Sequence, residues 1–383
     1  MKMLSAESIY IHIPFCKTKC PYCDFASWAN KENLIERYFQ ALYSEINHKC
    51  TAYLNFLKLI PQSTKISNLK TIFIGGGTPS LIHPDYYSKL FEEIKKYFNL
   101  DDHCEITMEA NPGTVTEDFM KSYKNLGVNR ISIGAQSFND DILKILGRKH
   151  SVKDTIDAIN IVKSAGILNI NLDLIFSVPG MTKTCWSETI NEALKHEPKH
   201  ISAYSLIIEP NTPFETIYSN PKTLPDGDFA FELYSVLCQA LNNHGFRHYE
   251  ISNFAKSGYE SVHNLTYWLQ KEYFAFGTGA HRYLNGLRTC NIRNLEDYIE
   301  NPTQEIITEY PSDHNFEKIM LSSRLDNGFD IELLRNISQK SDFYIENILN
   351  EMSKEGLLEF SDEKISLTEK GMFLNNEILL KLL

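Results

Sequence analysis

Short runs of β-branched and other apolar residues, each ending in a polar or glycine-containing tip, recur through the first half of the chain. They predict strands at residues 8–14, 71–74, 105–110, 130–134, 169–176 and 200–207. The stretches between them, for example 86–98, 117–126 and 152–165, carry helical periodicity. Strands that alternate with helices this regularly need crossover connections and so pair in parallel. The expected fold class is therefore α/β, a partial (β/α)6 barrel with its chemistry at the C-terminal ends of the strands. Residues 47–68 show no clear strand and are expected as a helix extension and a loop.

From residue 209 the pattern changes. Residues 209–225 hold four prolines, a helix is expected at 228–242, and a section rich in Tyr, His and Phe runs to about Arg293. Near the end, Ile345, Ile348, Leu349 and Met352 mark one helical face that Gly356 closes. Residues 357–360 and 365–367 then form a hairpin across Ser361 and Asp362, which gives a small α+β, winged-helix-like C-terminal domain. The expected division is 1–215 for the barrel, 216–305 for a connecting segment and 306–383 for the C-terminal domain.

Length agrees with this: at about 100 to 200 residues per domain, 383 residues allow two or three domains. Charge narrows the partners. A net charge of -11 gives no overall cationic field for phosphates, and the segment from Phe316 onward carries 8 basic against 13 acidic residues. Winged helices often bind DNA, but here a structural cap is expected and no nucleic-acid partner. No signal-type apolar segment opens the chain and no stretch supplies 18 uncharged apolar residues, so a soluble cytoplasmic protein is expected.

Five of the eight cysteines lie far apart, whereas Cys16, Cys20 and Cys23 crowd into one loop directly after the first expected strand. Three thiolates can hold three corners of an iron–sulfur cube and leave one iron open to a chelating ligand. A zinc knuckle and unliganded thiols are the alternatives, although no fourth ligand follows Cys23 at zinc-finger spacing. The second strand ends in Gly75-Gly76-Gly77-Thr78. Such a run permits close backbone approach and leaves amides free, and equally makes a tight turn. Glu109, Gln136 and Asp173 stand at or inside apolar strands, where an unpaired polar group is costly. They either bond to loops or hold polar parts of a ligand. Arg148 is either a solvated charge or a paired contact to a carboxylate.

The Cys-x3-Cys-x2-Cys loop after a first barrel strand, with Tyr22 before the third cysteine, resembles the signature of the radical S-adenosylmethionine superfamily. Taken in order, YIHIPFC, CPYCDF, IFIGGGTPS, EITMEANPGT, GVNRISIGAQSF, LGRKH, NLDLIF and HNLTYW resemble the oxygen-independent coproporphyrinogen III oxidase family over nearly the whole chain, and most of all its haem chaperone branch. The resemblance implies a 4Fe-4S cluster on Cys16, Cys20 and Cys23. It also implies S-adenosylmethionine contacts at Tyr10, Gly76, Gly77, Thr78, Glu109, Gln136, Arg148 and Asp173.

Two features separate the branches. The oxidases carry a further cysteine two residues after the third, where this chain has Phe25. The chaperone branch has HNxxYW, matched by His263, Tyr267 and Trp268, with the imidazole as a candidate haem ligand and the rings as porphyrin contacts. The resemblance thus implies haem binding and delivery to an acceptor protein that the sequence does not name, with peripheral membrane contact through that acceptor. Oxidative decarboxylation of coproporphyrinogen III is the alternative. The turn Phe176-Ser-Val-Pro-Gly departs from the family's histidine- or glycine-containing turn.

Overall fold

The computed structural model of the chain describes residues 6–58, 68–220, 223–309 and 314–383. Six strands alternate with helices as the sequence implies: β1 (Ser8–Ile13), β2 (Asn68–Gly76), β3 (Asn99–Ala110), β4 (Arg130–Gln136), β5 (Asn169–Phe176) and β6 (His200–Ser205). All five pairings between neighbours in this series are parallel. The helices between them start where polar side chains can satisfy free amides. Thr116 accepts from Phe119 N–H, Ser151 and Asp154 form a capping box, and Thr182 accepts from Cys185 N–H.

The strands are two-faced. Ile9, Ile11 and Ile13, Ile72 and Ile74, Ile131 and Ile133, and Leu172 and Leu174 are buried in one continuous core. The alternate positions carry Tyr10, His12, Glu109, Ser132, Asn171 and Asp173. Because side chains alternate along a strand, one face of the sheet packs on helices and the other lines a polar well. Register sets the levels of that well, with Glu109 beside Ser132 and Ser132 beside Asn171.

Segment 216–305, expected as a connection, adds to this sheet. Strands β7 (Arg247–Glu250) and β8 (Asn253–Ala255) follow β6 in antiparallel order, and β9 (Phe274–Phe276) pairs in parallel with the free edge of β1. Among the described residues the sheet has nine strands in the order β9-β1-β2-β3-β4-β5-β6-β8-β7. Phe274, Phe276, Leu295 and Tyr298 accordingly belong to the barrel core. Beyond β9, β10 (His281–Leu284), β11 (Leu287–Asn291) and β12 (Glu305–Glu309) form a separate antiparallel sheet.

Helix Ile35–Lys58 carries the first part of the expected extension, while residues 59–67 of that stretch lie outside the described residues. The C-terminal part has its own core, with Ile345, Leu349 and Met352 packed against Leu358, Ile365 and Leu367 of the expected hairpin. Phe329–Asp330 adds a third short strand to it.

Candidate functional site

The cysteine loop leaves β1 through Pro14 and returns at Trp28–Ala29, which pairs with Phe15–Cys16. This clasp holds Cys16, Cys20 and Cys23 over the C-terminal ends of β2 to β6. There they line a cavity of about 480 Å³ together with Gly76, Gly77, Thr78, Glu109, Gln136, Arg148 and Asp173. Two of the sulfurs already face donors. Thr78 Oγ1 donates to Cys16 Sγ at 3.5 Å, and Arg148 Nη1 donates to Cys20 Sγ at 3.3 Å while Nη2 donates to the Gly134 carbonyl at 2.9 Å. Burial pushes the Cys16 and Cys23 thiols up, opposed at Cys16 by the hydrogen bond from Thr78. Three convergent thiols with hydroxyl and guanidinium donors fit an anionic iron–sulfur cluster, which hydrogen bonds to sulfur tune.

The glycine run lies against this loop. Gly77 N–H donates to the Ile13 carbonyl at 2.7 Å, and a Cβ at Gly77 would stand 2.8 Å from the Phe15 carbonyl oxygen. Gly76 has φ +111°, and a Cβ there would meet the His12 ring at 2.6 Å. That ring cannot easily give way, since its nitrogens meet Tyr10 Oη at 3.0 Å and the Ala26 carbonyl at 2.8 Å. The Gly76 N–H donates to Glu109 Oε2 at 2.9 Å.

Burial, reinforced by the Asp173 charge, pushes the Glu109 carboxyl up to about 7, against the pull of Gly76 N–H and Arg130. Asp173 is also pushed up by burial, and it accepts from Ser132 Oγ at 2.8 Å and from Asn171 Nδ2 at 2.8 Å. Gln136 sits at φ +64° beyond an irregularity in the β4–β5 register, which carries the strand two residues past its expected end at Gly134. The sequence reading missed Ser132 and Asn171, which hold Asp173, and Arg130, whose charge acts on both carboxylates. Their signal was the alternation of polar residues within apolar strands.

Tyr10 does not line this cavity. It lines a second chamber of about 670 Å³ on the other side of Asp24, Phe25, Gly76 and Glu109, all of which line both. Aromatic side chains from several elements wall the second chamber, among them Phe25, Tyr267, Trp268, Tyr273 and Tyr283. Lys271, Arg288 and Arg293 supply positive charge. Arg293 Nη2 also donates to Asp24 Oδ1 at 2.8 Å, tying this chamber to the cysteine loop.

The HNxxYW residues divide between wall and core. They form helix Val262–Trp268, capped by Ser261, and the i, i+4 spacing puts His263 and Tyr267 on one face. Tyr267 and Trp268 reach the chamber, but His263 is buried against β2, stacked on Phe73 at 5.1 Å. Its Nε2 meets Tyr267 Oη at 2.8 Å and its Nδ1 meets Thr71 Oγ1 at 3.3 Å. The expected haem-ligand role of His263 is therefore corrected: both ring nitrogens are occupied, and the imidazole braces Tyr267 from behind.

Comparison with known proteins agrees with this architecture. The Radical SAM superfamily model matches residues 10–193, and the HemN C-terminal domain model matches residues 311–374. The chain is 36% identical over 384 residues to the haem chaperone HemW of Bacillus subtilis, covering 97% of this chain and 98% of that one. It is 36% identical over 386 residues to the HemW of Haemophilus influenzae, covering 99% and 98%. The chain belongs to the HemW family. Among solved structures, the coproporphyrinogen III oxidase HemN of Escherichia coli, a radical SAM enzyme, superposes with a TM-score of 0.80 at 19% identity, covering 99% of this chain and 90% of that one. At that identity the likeness to HemN is one of fold. It agrees with a HemW-family chain built as a radical SAM barrel with a small C-terminal domain.

Proposed function

We propose that this chain is a haem chaperone that binds haem beside a 4Fe-4S cluster and passes it to an acceptor protein in the cytoplasm. The observation that carries this reading is the second chamber. Its volume of about 670 Å³ lies within the roughly 300–1,000 Å³ typical of ligand pockets. Aromatic walls suit the faces of a porphyrin, and Lys271 and Arg293 suit its propionates. Phe25, 61% exposed, stands between the two cavities at the position where the oxidases carry a cysteine.

On this reading Cys16, Cys20 and Cys23 hold the cluster, and Thr78 and Arg148 stabilise its sulfur charge. Gly76 and Gly77, whose amides are taken by Glu109 and the Ile13 carbonyl and not left free as expected, shape the wall against which S-adenosylmethionine lies, with Glu109, Gln136 and Asp173 holding its polar ends. Bound there, the cluster supplies an electron and S-adenosylmethionine a cleavable sulfonium. Among the described residues no helix is long and apolar enough to cross a membrane, so membrane contact would come through the acceptor.

The test is anaerobic reconstitution followed by titration with haem or incubation with coproporphyrinogen III, S-adenosylmethionine and reductant. One haem bound per chain without protoporphyrinogen formation is the expected result. Protoporphyrinogen formation would reverse the choice in favour of the oxidase.

A further inference from the structure

Haem in the second chamber needs an axial ligand, and His263, whose nitrogens are both engaged, does not offer one. His12 also lines the chamber, yet Tyr10 and the Ala26 carbonyl occupy its nitrogens. His281 differs from both. It opens β10 and lines the chamber, it is exposed, and neither ring nitrogen enters a hydrogen bond among the described residues. We propose that His281 is the side chain that ligates the iron of haem held in this chamber, an inference that rests on the chaperone reading above.

The surroundings favour a porphyrin-bound iron over a bare ion. In this chamber the other candidate donors, His12, Asp24 and Glu109, already hold hydrogen-bond partners, so protein donors alone do not complete a coordination shell. Haem brings four nitrogens of its own and needs only axial donors. The strand pair sets which face of the porphyrin is ligated. His281 stands directly opposite Cys290 in the β10–β11 register, and both line the chamber. Partners on paired strands project to the same side about 5 Å apart. His281 and Cys290 therefore approach one face of the porphyrin and compete for one axial position. An imidazole ligates in its neutral form, whereas an ordinary thiol must first lose a proton, which gives the position to His281. Tyr273 and Tyr283, packed together in a small core with Ala275 and Ala280, form a firm wall beside it.

The test uses the full chain titrated with ferric haem, read by the Soret band, by electron spin resonance and by affinity. His281 is exposed and makes no side-chain hydrogen bond among the described residues, so His281→Ala should fold like the parent by circular dichroism. It should shift the Soret band and weaken binding about tenfold or more, and added imidazole should restore the band position. Cys290→Ser should leave the spectrum unchanged. An unchanged spectrum and affinity in His281→Ala would overturn the assignment while leaving haem binding intact. A thiolate signature that disappears in Cys290→Ser would overturn it in favour of the cysteine. Failure of the unsubstituted chain to bind one haem would overturn the chaperone reading itself, and the ligand with it.

Discussion

The two cavities share a wall but are built on different plans. In the first, Glu109 and Asp173 project from strands of one sheet and Arg148 from the loop beyond β4, and all are already engaged: Glu109 with Gly76, Asp173 with Ser132 and Asn171, Arg148 with Gly134 and Cys20. Pre-organisation of this kind suits a group that stays. The second cavity is assembled from pieces that meet: the cysteine loop at Phe25, helix Val262–Trp268, the β10–β11 pair and Leu321 of helix His314–Ser322. Its joints are ion pairs, Arg293 with Asp24 and Arg288 with Glu317. A wall closed by ion pairs can part to release a cargo at less cost than a strand can leave a sheet. The contrast between fixed well and jointed chamber matches a resident cofactor beside a transferred ligand.

The largest expected effect breaks the first cavity outright. Replacing Cys16, Cys20 or Cys23 with Ala should abolish a cluster that otherwise carries about four iron and four sulfide per chain, measured by metal analysis and absorbance. Individual substitution of Cys50, Cys104, Cys185, Cys238 or Cys290 should not. Gly76→Ala should come next. Forcing a side chain into this backbone conformation costs on the order of 1–3 kcal/mol, and the new Cβ must displace the doubly bonded His12 ring. Denaturant melting should show the loss, and S-adenosylmethionine should cease to perturb the reduced cluster's spin resonance.

His263→Ala sharpens the comparison from the other side. Losing a buried, stacked and hydrogen-bonded ring should cost about 2–4 kcal/mol and weaken haem binding without moving the Soret band, because Tyr267 loses its brace while the iron keeps its ligand. His48→Ala, on an exposed helix position, should stay within about 0.5 kcal/mol of the parent.

The subtlest effect is one of pH. Glu109, facing Asp173, Arg130 and Tyr10, holds its proton up to about 7 in the fold, against 4.5 as its ordinary value. Between those values the folded chain binds a proton that the unfolded chain has released, so this group makes stability fall as pH rises through that window and level off above it. Glu109→Gln should flatten this part of the stability profile. S-adenosylmethionine, which brings positive charge, should bind more tightly as pH rises through about 7 in the parent and lose that dependence in Glu109→Gln.

Much of the first cavity was legible because its residues sit at strand tips with local signatures. Three cysteines in eight residues, a glycine run and isolated carboxyls in apolar strands announce themselves without any tertiary knowledge. The six parallel strands were legible for the same reason, each being a β-branched run between helical periods. Strand β9 was not. Phe274–Phe276 is three residues long, and only its pairing with β1, more than 260 residues away, makes it a strand. His263 misled because a motif says which side chains are present but not which are buried; that depended on how deeply its helix packs on β2. The second chamber escaped because its walls come from many separate places in the chain, joined by contacts such as Arg293 to Asp24 that have no local pattern.

The parallel seam between β1 and β9 also has a consequence for biogenesis. Strand β1 leaves the ribosome more than 260 residues ahead of this partner, which follows only after residue 274 has been made. At roughly 5–20 residues per second, that edge, with Ile9 and Ile11 on it, waits on the order of 10 to 50 s for its neighbour. An open apolar strand edge recruits other strands, including those of a second nascent chain. A transcript truncated before Phe274 would therefore yield a product that aggregates, even though every cysteine and glycine of the cluster site is present in it.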